Sequence, residues 1–135
     1  MKNKFLAIGL LVTVSCSAQT VPAEVKTAFE KSFPNTTVKK WDKEDGNYEA
    51  NFSKDGKSMS ATYDAKGNWL ETETDIDVKN LPAPVVSYIK EHYNGAAIKE
   101  AATLKTPEGN RYEAEVKGKD ILFDENGKFL KEEED

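Results

Sequence analysis

The chain repeats itself at an interval of about sixty residues, and this internal repeat limits its fold more than any other feature. Val21-Pro22-Ala23 returns as Leu81-Pro82-Ala83, and Gly67-Asn68-Trp69-Leu70 returns as Gly127-Lys128-Phe129-Leu130. Apolar residues recur at apolar positions and glycines recur at turn positions, as expected of a duplicated structural unit. One copy of this size buries too little surface to be stable alone, so we expect both copies to fold together.

Each copy begins with a pattern that predicts an amphipathic helix. In the first copy, Pro22 precedes Val25, Ala28, Phe29 and Phe33, whose spacing places their side chains on one helical face. The same spacing recurs in the second copy. Four short stretches of alternating apolar and polar residues follow each helix, separated by glycine turns, and they predict antiparallel strands.

The predicted strands of the first copy are Val38–Lys43, Asn47–Ser53, Ser58–Tyr63 and Trp69–Thr74. Those of the second copy are Lys99–Lys105, Arg111–Lys117, Asp120–Asp124 and Lys128–Glu132. The predicted fold class is α+β, with two αβ₄ repeats that form one antiparallel sheet of about eight strands and two helices on one face. We assign residues 19–80 to the first repeat and residues 81–135 to the second.

The N-terminus has the three parts of a secretory signal peptide. A positive head with Lys2 and Lys4 precedes an apolar stretch of ten residues and a run of small residues that ends at Ala18. We therefore expect residues 1–18 to be removed and the protein to be periplasmic or secreted. The alternative is lipoprotein processing, in which Cys16 would carry a lipid anchor.

The charge balance argues against nucleic acid as a partner. The chain has 19 basic and 24 acidic side chains, and removal of residues 1–18 lowers its net charge from −5 to −7. A surface that binds phosphates needs clustered Lys and Arg. No apolar run reaches the length of about 18 residues that a transmembrane helix needs, so none is expected in the mature chain.

Residue types that carry catalysis or bind metals are scarce. The chain has one Cys and one His, which argues against an internal disulfide and against a zinc site. We interpret His92 as a packed or partly exposed residue of the second helix. Asp124-Glu125-Asn126-Gly127 is similar to half of a calcium loop, with Asp64-Ala65-Lys66-Gly67 as its first-copy counterpart. Lys66 takes the place of a ligand, which favours a hairpin turn. We predict no enzyme activity and no cofactor.

The sheet face that the helices leave open is the predicted binding surface. We expect this face to be wet, with polar side chains in contact with water. Exposed aromatic side chains surrounded by polar groups often mark binding surfaces, although both tryptophans could instead cap the core near the strand ends. The candidate residues are Trp41, Glu49, Asn51, Ser60, Thr62, Trp69, Arg111, Glu113 and Glu115.

Three motifs carry a resemblance to a known family. They are Val21-Pro22 with Phe29 and Phe33-Pro34, then Tyr48-Glu49-Ala50, and then the segment from Tyr63-Asp64 to Trp69-Leu70. With their second-copy counterparts, these motifs resemble the PepSY-like family, which is related in fold to the β-lactamase inhibitor proteins. The resemblance implies a small periplasmic or secreted protein. The better-known relatives bind a target enzyme through a concave sheet, and they carry a disulfide in each repeat that this chain lacks.

These observations together predict an exported, non-enzymatic binding module. We expect it to recognise a protein or peptide of the cell envelope through the open face of its sheet, as an inhibitor does. The alternative is an envelope protein that binds a small ligand or a metal cation.

Overall fold

A computed structural model of the chain describes residues 20–134. The predicted signal peptide at residues 1–18, including the alternative lipid site at Cys16, lies outside the described residues. Within residues 20–134, no helix is long and apolar enough to cross a membrane.

The described residues form two helices and eight strands. The first half contains α1 (Ala23–Ser32), β1 (Lys40–Glu44), β2 (Asn47–Lys54), β3 (Lys57–Tyr63) and β4 (Trp69–Ile76). A short 3₁₀ turn at Val78–Asn80 leads into the second half, which contains α2 (Ala83–His92), β5 (Glu100–Thr106), β6 (Gly109–Val116), β7 (Lys119–Asp124) and β8 (Phe129–Glu134). Every predicted element is present, and the boundaries differ from the prediction by about two residues.

All eight strands form a single antiparallel sheet in the order of the sequence, β1 to β8. The two halves are joined by backbone pairing of β4 with β5, from Thr72 opposite Lys105 to Ile76 opposite Ala101. The predicted α+β fold class is therefore confirmed. The assignment of the two repeats to residues 19–80 and 81–135 remains a prediction.

Both helices pack on the same face of this sheet, which we call the helix face. In the first half, Val25 and Phe29 of α1 are buried against Ala50, Phe52 and other residues of β2 and β3. In the second half, the equivalent cluster contains the following residues: Val85, Ile89, Ala101, Ala114, Val116, Ile121 and Phe123. Burial of these apolar side chains is the main source of stability in a domain without a disulfide.

Two β-bulges occur next to the pairs of adjacent apolar residues Trp69-Leu70 and Phe129-Leu130, which interrupt the alternation of apolar and polar residues. The register shifts where Tyr63 pairs with Trp69, and it shifts again where Phe123 pairs with Phe129. A bulge inserts one unpaired residue, so the residue that follows Phe129 drops out of the alternation. Phe129 consequently stacks on Tyr88 of α2, with ring centroids 4.9 Å apart, while Leu130 remains exposed.

The turn before each bulge brings a glycine against the start of a helix. Gly67 has a φ of +84°, and a Cβ atom built on it would lie 2.7 Å from the backbone oxygen of Glu24 in α1. Real Cβ atoms do not approach backbone oxygen so closely, so Gly67 is required both for its φ and for its close approach. Gly56 in the β2–β3 turn has a similar φ of +76°, but no atom lies within 4 Å of a Cβ built there.

These two glycines give a matched test of the helix contact. We expect Gly56→Ala to lower the free energy of unfolding by about 1 kcal/mol, because only the left-handed backbone is strained. Gly67→Ala should lower it by about 2 kcal/mol more, because the turn must also move away from α1. Urea denaturation of both variants measures the difference, and equal losses would contradict the proposed contact.

Candidate binding face

The face opposite the helices consists of the alternate strand residues, and we call it the polar face. Strand register aligns Asp42, Glu49, Thr62 and Glu71 across β1 to β4. A longer row crosses seven strands and contains Lys40, Asn51, Ser60, Glu73, Leu104, Arg111 and Asp124. Because side chains alternate along each strand, the neighbours two residues away from these rows share the polar face.

Charge is unevenly divided between the two faces. The carboxylates of the polar face are Asp42, Glu44, Glu49, Glu71, Glu73, Asp75, Glu100, Glu113, Glu115, Asp120, Asp124 and Glu133. Its cationic side chains are Lys40, Arg111 and Lys131. Strand residues of the helix face contribute five lysines (Lys43, Lys54, Lys57, Lys105, Lys119) and only two carboxylates, Glu132 and Glu134. The sheet therefore carries most of its negative charge on the polar face.

Burial and long-range electrostatics together indicate that the sheet curves toward the polar face, because several side chains of that face are buried although both helices pack on the other face. The charges of Arg111 in β6 and of Glu133 and Lys131 in β8 affect the pKa of Glu71 in β4. In a flat sheet, β4 and β8 would be about 19 Å apart, because neighbouring strands are separated by about 4.8 Å. Curvature brings these side chains within electrostatic range of one another, so the polar face is concave.

The prediction of a wet face is wrong for four of the candidate residues. Glu49, Ser60, Thr62 and Glu115 are buried, with 3–4% of their surface exposed. Asn51, Arg111 and Glu113 are half-buried. These residues lie in central strands, so side chains on both neighbouring strands flank them at about 5 Å, and the curvature brings more distant rows closer still.

The tryptophans are the second correction to the predicted surface. Trp41 packs edge-on against Phe29 of α1, with ring centroids 5.8 Å apart, and thus lies on the helix face. Trp69 pairs with Tyr63, and its indole nitrogen donates a 2.9 Å hydrogen bond to the Thr72 hydroxyl. Thr72 pairs with Ala61 of the helix face, so Trp69 lies on the helix face as well. Trp41 therefore caps the core near the strand end, as in the alternative interpretation, whereas Trp69 lies on the helix face with 37% of its surface exposed.

Burial and like-charge repulsion raise the pKa of several carboxylates on the polar face. Burial, reinforced by Asp42, raises the pKa of Glu49 to about 7, against a small opposing effect of the Ser60 hydroxyl. Burial, together with Glu113 and Glu71, raises the pKa of Glu73 well above its ordinary value. Burial also raises the pKa of Glu71, although Arg111 opposes the shift. Some of these carboxylates are therefore protonated near neutral pH.

Local pairs occupy two of the three cations. The Lys40 ammonium lies 2.8 Å from one oxygen of Asp42, whose other oxygen accepts a 2.9 Å hydrogen bond from the amide nitrogen of Asn51. Lys131 pairs with Glu133 of the same strand. Arg111 acts on Glu71 through space. Lys99, which precedes β5, adds a fourth cation, because its ammonium lies 3.7 Å from a carboxylate oxygen of Glu115. Twelve carboxylates thus share four cations, and the face retains a negative potential.

An apolar patch that the sequence pattern does not predict lies within this face. Ala102, Leu104 and Leu122 lie on the polar face by register, yet they are 0%, 2% and 6% exposed. Ala101 and Ala102 point to opposite faces of β5, and both are apolar, so the sequence does not alternate between apolar and polar residues there. Comparison of the two copies could have revealed the patch, because Leu122 occupies the position that Thr62 has in the first copy.

Other candidates for chemistry have structural roles. Asp64 accepts hydrogen bonds from the backbone nitrogens of Lys66 and Asn68, both 2.9 Å long, and Asp124 does the same in the second copy. The bonds from Asn68 lower the pKa of Asp64 and support the hairpin-turn interpretation. His92 is exposed and stacks on Tyr88. Within residues 20–134, no group of three or more His, Cys, Asp or Glu could hold a metal ion.

A family model described as "Putative beta-lactamase-inhibitor-like, PepSY-like" matches residues 12–62 and 48–131. The chain belongs to this family. A solved "BLIP-like protein" from Bacteroides fragilis is 30% identical, covers 86% of this chain and 88% of its own, and superposes with a TM-score of 0.69. The resemblance seen in the sequence motifs is therefore confirmed.

Two solved structures of lower sequence identity support the fold alone. A "putative periplasmic" protein from Bacteroides eggerthii is 19% identical, with a TM-score of 0.75 and coverage of 86% of this chain and 90% of its own. A DUF2874 family protein from Bacteroides ovatus is 21% identical, with a TM-score of 0.71 and coverage of 87% and 89%. No protein of curated function matches this chain significantly.

Neutralisation of Glu49 should change the pH dependence of stability. The pKa of Glu49 is raised in the folded chain, so the folded chain holds the proton more tightly than the unfolded chain. Stability should therefore fall as pH rises from about 4.5 to about 7, by up to about 3 kcal/mol from this group. Glu49→Gln should show a smaller loss over this range in urea denaturation.

Glu30→Gln is the control for this pH experiment, since Glu30 lies exposed on α1. It should retain the full pH dependence of the unsubstituted chain. If Glu49→Gln and Glu30→Gln lost stability equally between pH 4.5 and 7, the raised pKa of Glu49 would be contradicted.

Proposed function

We propose that this chain is an exported, non-enzymatic binding module that recognises a basic protein or peptide through its concave polar face. The observation that carries this proposal is the concentration of carboxylates on that face, twelve against four cations, with Lys99 counted among the cations. Complementary charge speeds the encounter of two partners and selects between them. A basic surface would reduce the like-charge repulsion from Asp42 that adds to the effect of burial on the pKa of Glu49.

The family gives the proposal independent support. Its description is inhibitor-like rather than enzymatic, and the Bacteroides fragilis relative is called BLIP-like. Inhibitors act by covering a surface of another protein, so a concave face is the part of this fold suited to the task. If the partner is an enzyme, the module would act as its inhibitor.

Export is proposed from the N-terminal sequence and from the relatives. Residues 1–18 have the pattern of a signal peptide, and a distant structural relative is described as "putative periplasmic". The partner would then be a component of the cell envelope. Lipid attachment at Cys16 remains the alternative form of export.

The alternative function, binding of a metal cation or a small ligand, has less support. The carboxylates of the polar face are spread along seven strands, and no group of them in the described part of the chain has the arrangement of a metal site. Carboxylates distributed in this way suit an extended basic surface better than a single ion.

A lysine-rich peptide tests the charge of the polar face. We expect it to bind in fluorescence anisotropy with an affinity that falls steeply with added salt, because exposed charges are screened. The double variant Glu71→Gln/Glu113→Gln should weaken binding about fivefold to tenfold and flatten the salt dependence.

The control variant Glu30→Gln/Glu91→Gln removes the same charge from the exposed helix surfaces. It should leave the peptide affinity within about twofold of the unsubstituted chain. Equal weakening by the two double variants would show that net charge, and not the polar face, attracts the peptide.

A further inference from the structure

A cavity of about 570 Å³ opens beside the loop that joins α1 to β1. Its polar lining residues come from this loop and from the end of β2, and they are Asn35, Thr36, Thr37, Lys39, Ser53 and Lys54. The cavity lies at one edge of the sheet, because β1 is the first strand in the strand order. It is therefore open to a ligand from solution.

The wall of this cavity carries positive charge and hydrogen-bond donors. Lys39 and Lys54 contribute ammonium groups, while Thr36, Thr37 and Ser53 contribute hydroxyl groups. Among the described residues, no carboxylate lines the cavity, although acidic side chains outnumber basic ones in the chain. Hydrogen bonds from ammonium groups to anionic oxygens are among the strongest in proteins, so this wall suits an anion.

The charges of the two lysines are not neutralised by the protein. Within residues 20–134, neither Lys39 nor Lys54 forms an ion pair. The Lys39 ammonium donates a 2.5 Å hydrogen bond to the Ser53 hydroxyl, and the Lys54 ammonium lies 5.6 Å from the ring centroid of Phe33. These contacts position both ammonium groups and leave protons on them, and on the Ser53 hydroxyl, free to donate.

The equivalent place in the second copy has a different chemistry. A cavity of about 240 Å³ beside the start of β5 includes Lys99, the counterpart of Lys39, but three carboxylates also line it. The Lys99 ammonium lies 3.7 Å from a carboxylate oxygen of Glu115, and Ala96 and Ala97 replace the two threonines. The lysine is therefore paired in the second copy and available in the first.

We propose that the cavity beside β1, which we call the oxyanion site, binds the phosphate or sulfate group of a small organic molecule. A tetrahedral oxyanion presents acceptor oxygens in several directions, which suits ammonium and hydroxyl donors that surround it. A volume of about 570 Å³ is typical of small-molecule sites, so the anion would be carried on a larger organic group. The inference does not depend on the proposed function, because the carboxylates of the polar face do not line this cavity.

Phenyl phosphate, phenyl sulfate and phenol test the oxyanion site in an NMR titration of the isotopically labelled protein. We expect the backbone amide signals of Thr36, Thr37 and Ser53 to shift and saturate with the two anions but not with phenol. The signal of Lys99, in the acidic cavity, should stay in place. The anion that binds more tightly identifies phosphate or sulfate as the preferred group.

Two double variants locate the binding and separate it from net charge. Lys39→Gln/Lys54→Gln should weaken binding of the preferred anion about tenfold or more, because both ammonium groups are removed. Lys26→Gln/Lys90→Gln removes the same charge from exposed positions of α1 and α2, and it should change the affinity by less than about twofold. Unchanged amide signals in the rest of the sheet would show that both variants are folded.

Three outcomes would overturn the oxyanion site. They are the absence of shifts with both anions, shifts with phenol as large as those with the anions, and equal weakening by the two double variants. None of them affects the proposed function, which is tested separately with the lysine-rich peptide and with substitutions on the polar face.

Discussion

Backbone pairing between β4 and β5 is the interaction on which the rest of the structure depends. It joins two small repeats, each with one helix, into a sheet of eight strands. Each helix covers only its own half of the sheet, so the helix face contains two separate core clusters. The polar face, in contrast, continues without interruption across the junction and becomes a surface larger than either repeat could form.

The junction also determines the electrostatics of the polar face. Glu71, Glu73 and Asp75 in β4 come next to residues of the second repeat, and curvature brings charges from β6 and β8 toward them. Buried carboxylates of like charge are costly, and burial, reinforced by Glu113 across the junction, raises the pKa of Glu73. A protein whose only task was to fold would not need this arrangement, and it supports our proposal that the polar face binds a partner.

Sequence reasoning recovered the elements because their signals are local. The apolar stripe of α1, the alternation of β2 and the glycine turns each depend on a few neighbouring residues. The repeat then indicated the topology, since two similar units with exposed sheet edges can bury more surface by joining. Even the family was evident from motifs such as Tyr48-Glu49-Ala50.

The wrong predictions concern side chains whose positions depend on the three-dimensional packing of the chain. Trp41 and Trp69 were assigned to the binding face, but the contact with Phe29 and the bulge at Tyr63 place them on the helix face. Alternation cannot reveal a bulge, because a bulge is an interruption of the alternation. The burial of Glu49 and the apolar patch were also missed, because both depend on the curvature of the complete sheet.

The most direct test of the proposed binding face is a zero-length cross-link between carboxylates of the protein and amines of a lysine-rich peptide, mapped by mass spectrometry. The cross-links should form at Glu71, Glu113 and their neighbours on the polar face. They should be absent from Glu30 and Glu91 on the helices, although these carboxylates are more exposed. Cross-links concentrated on the helices would contradict the assignment of binding to the polar face.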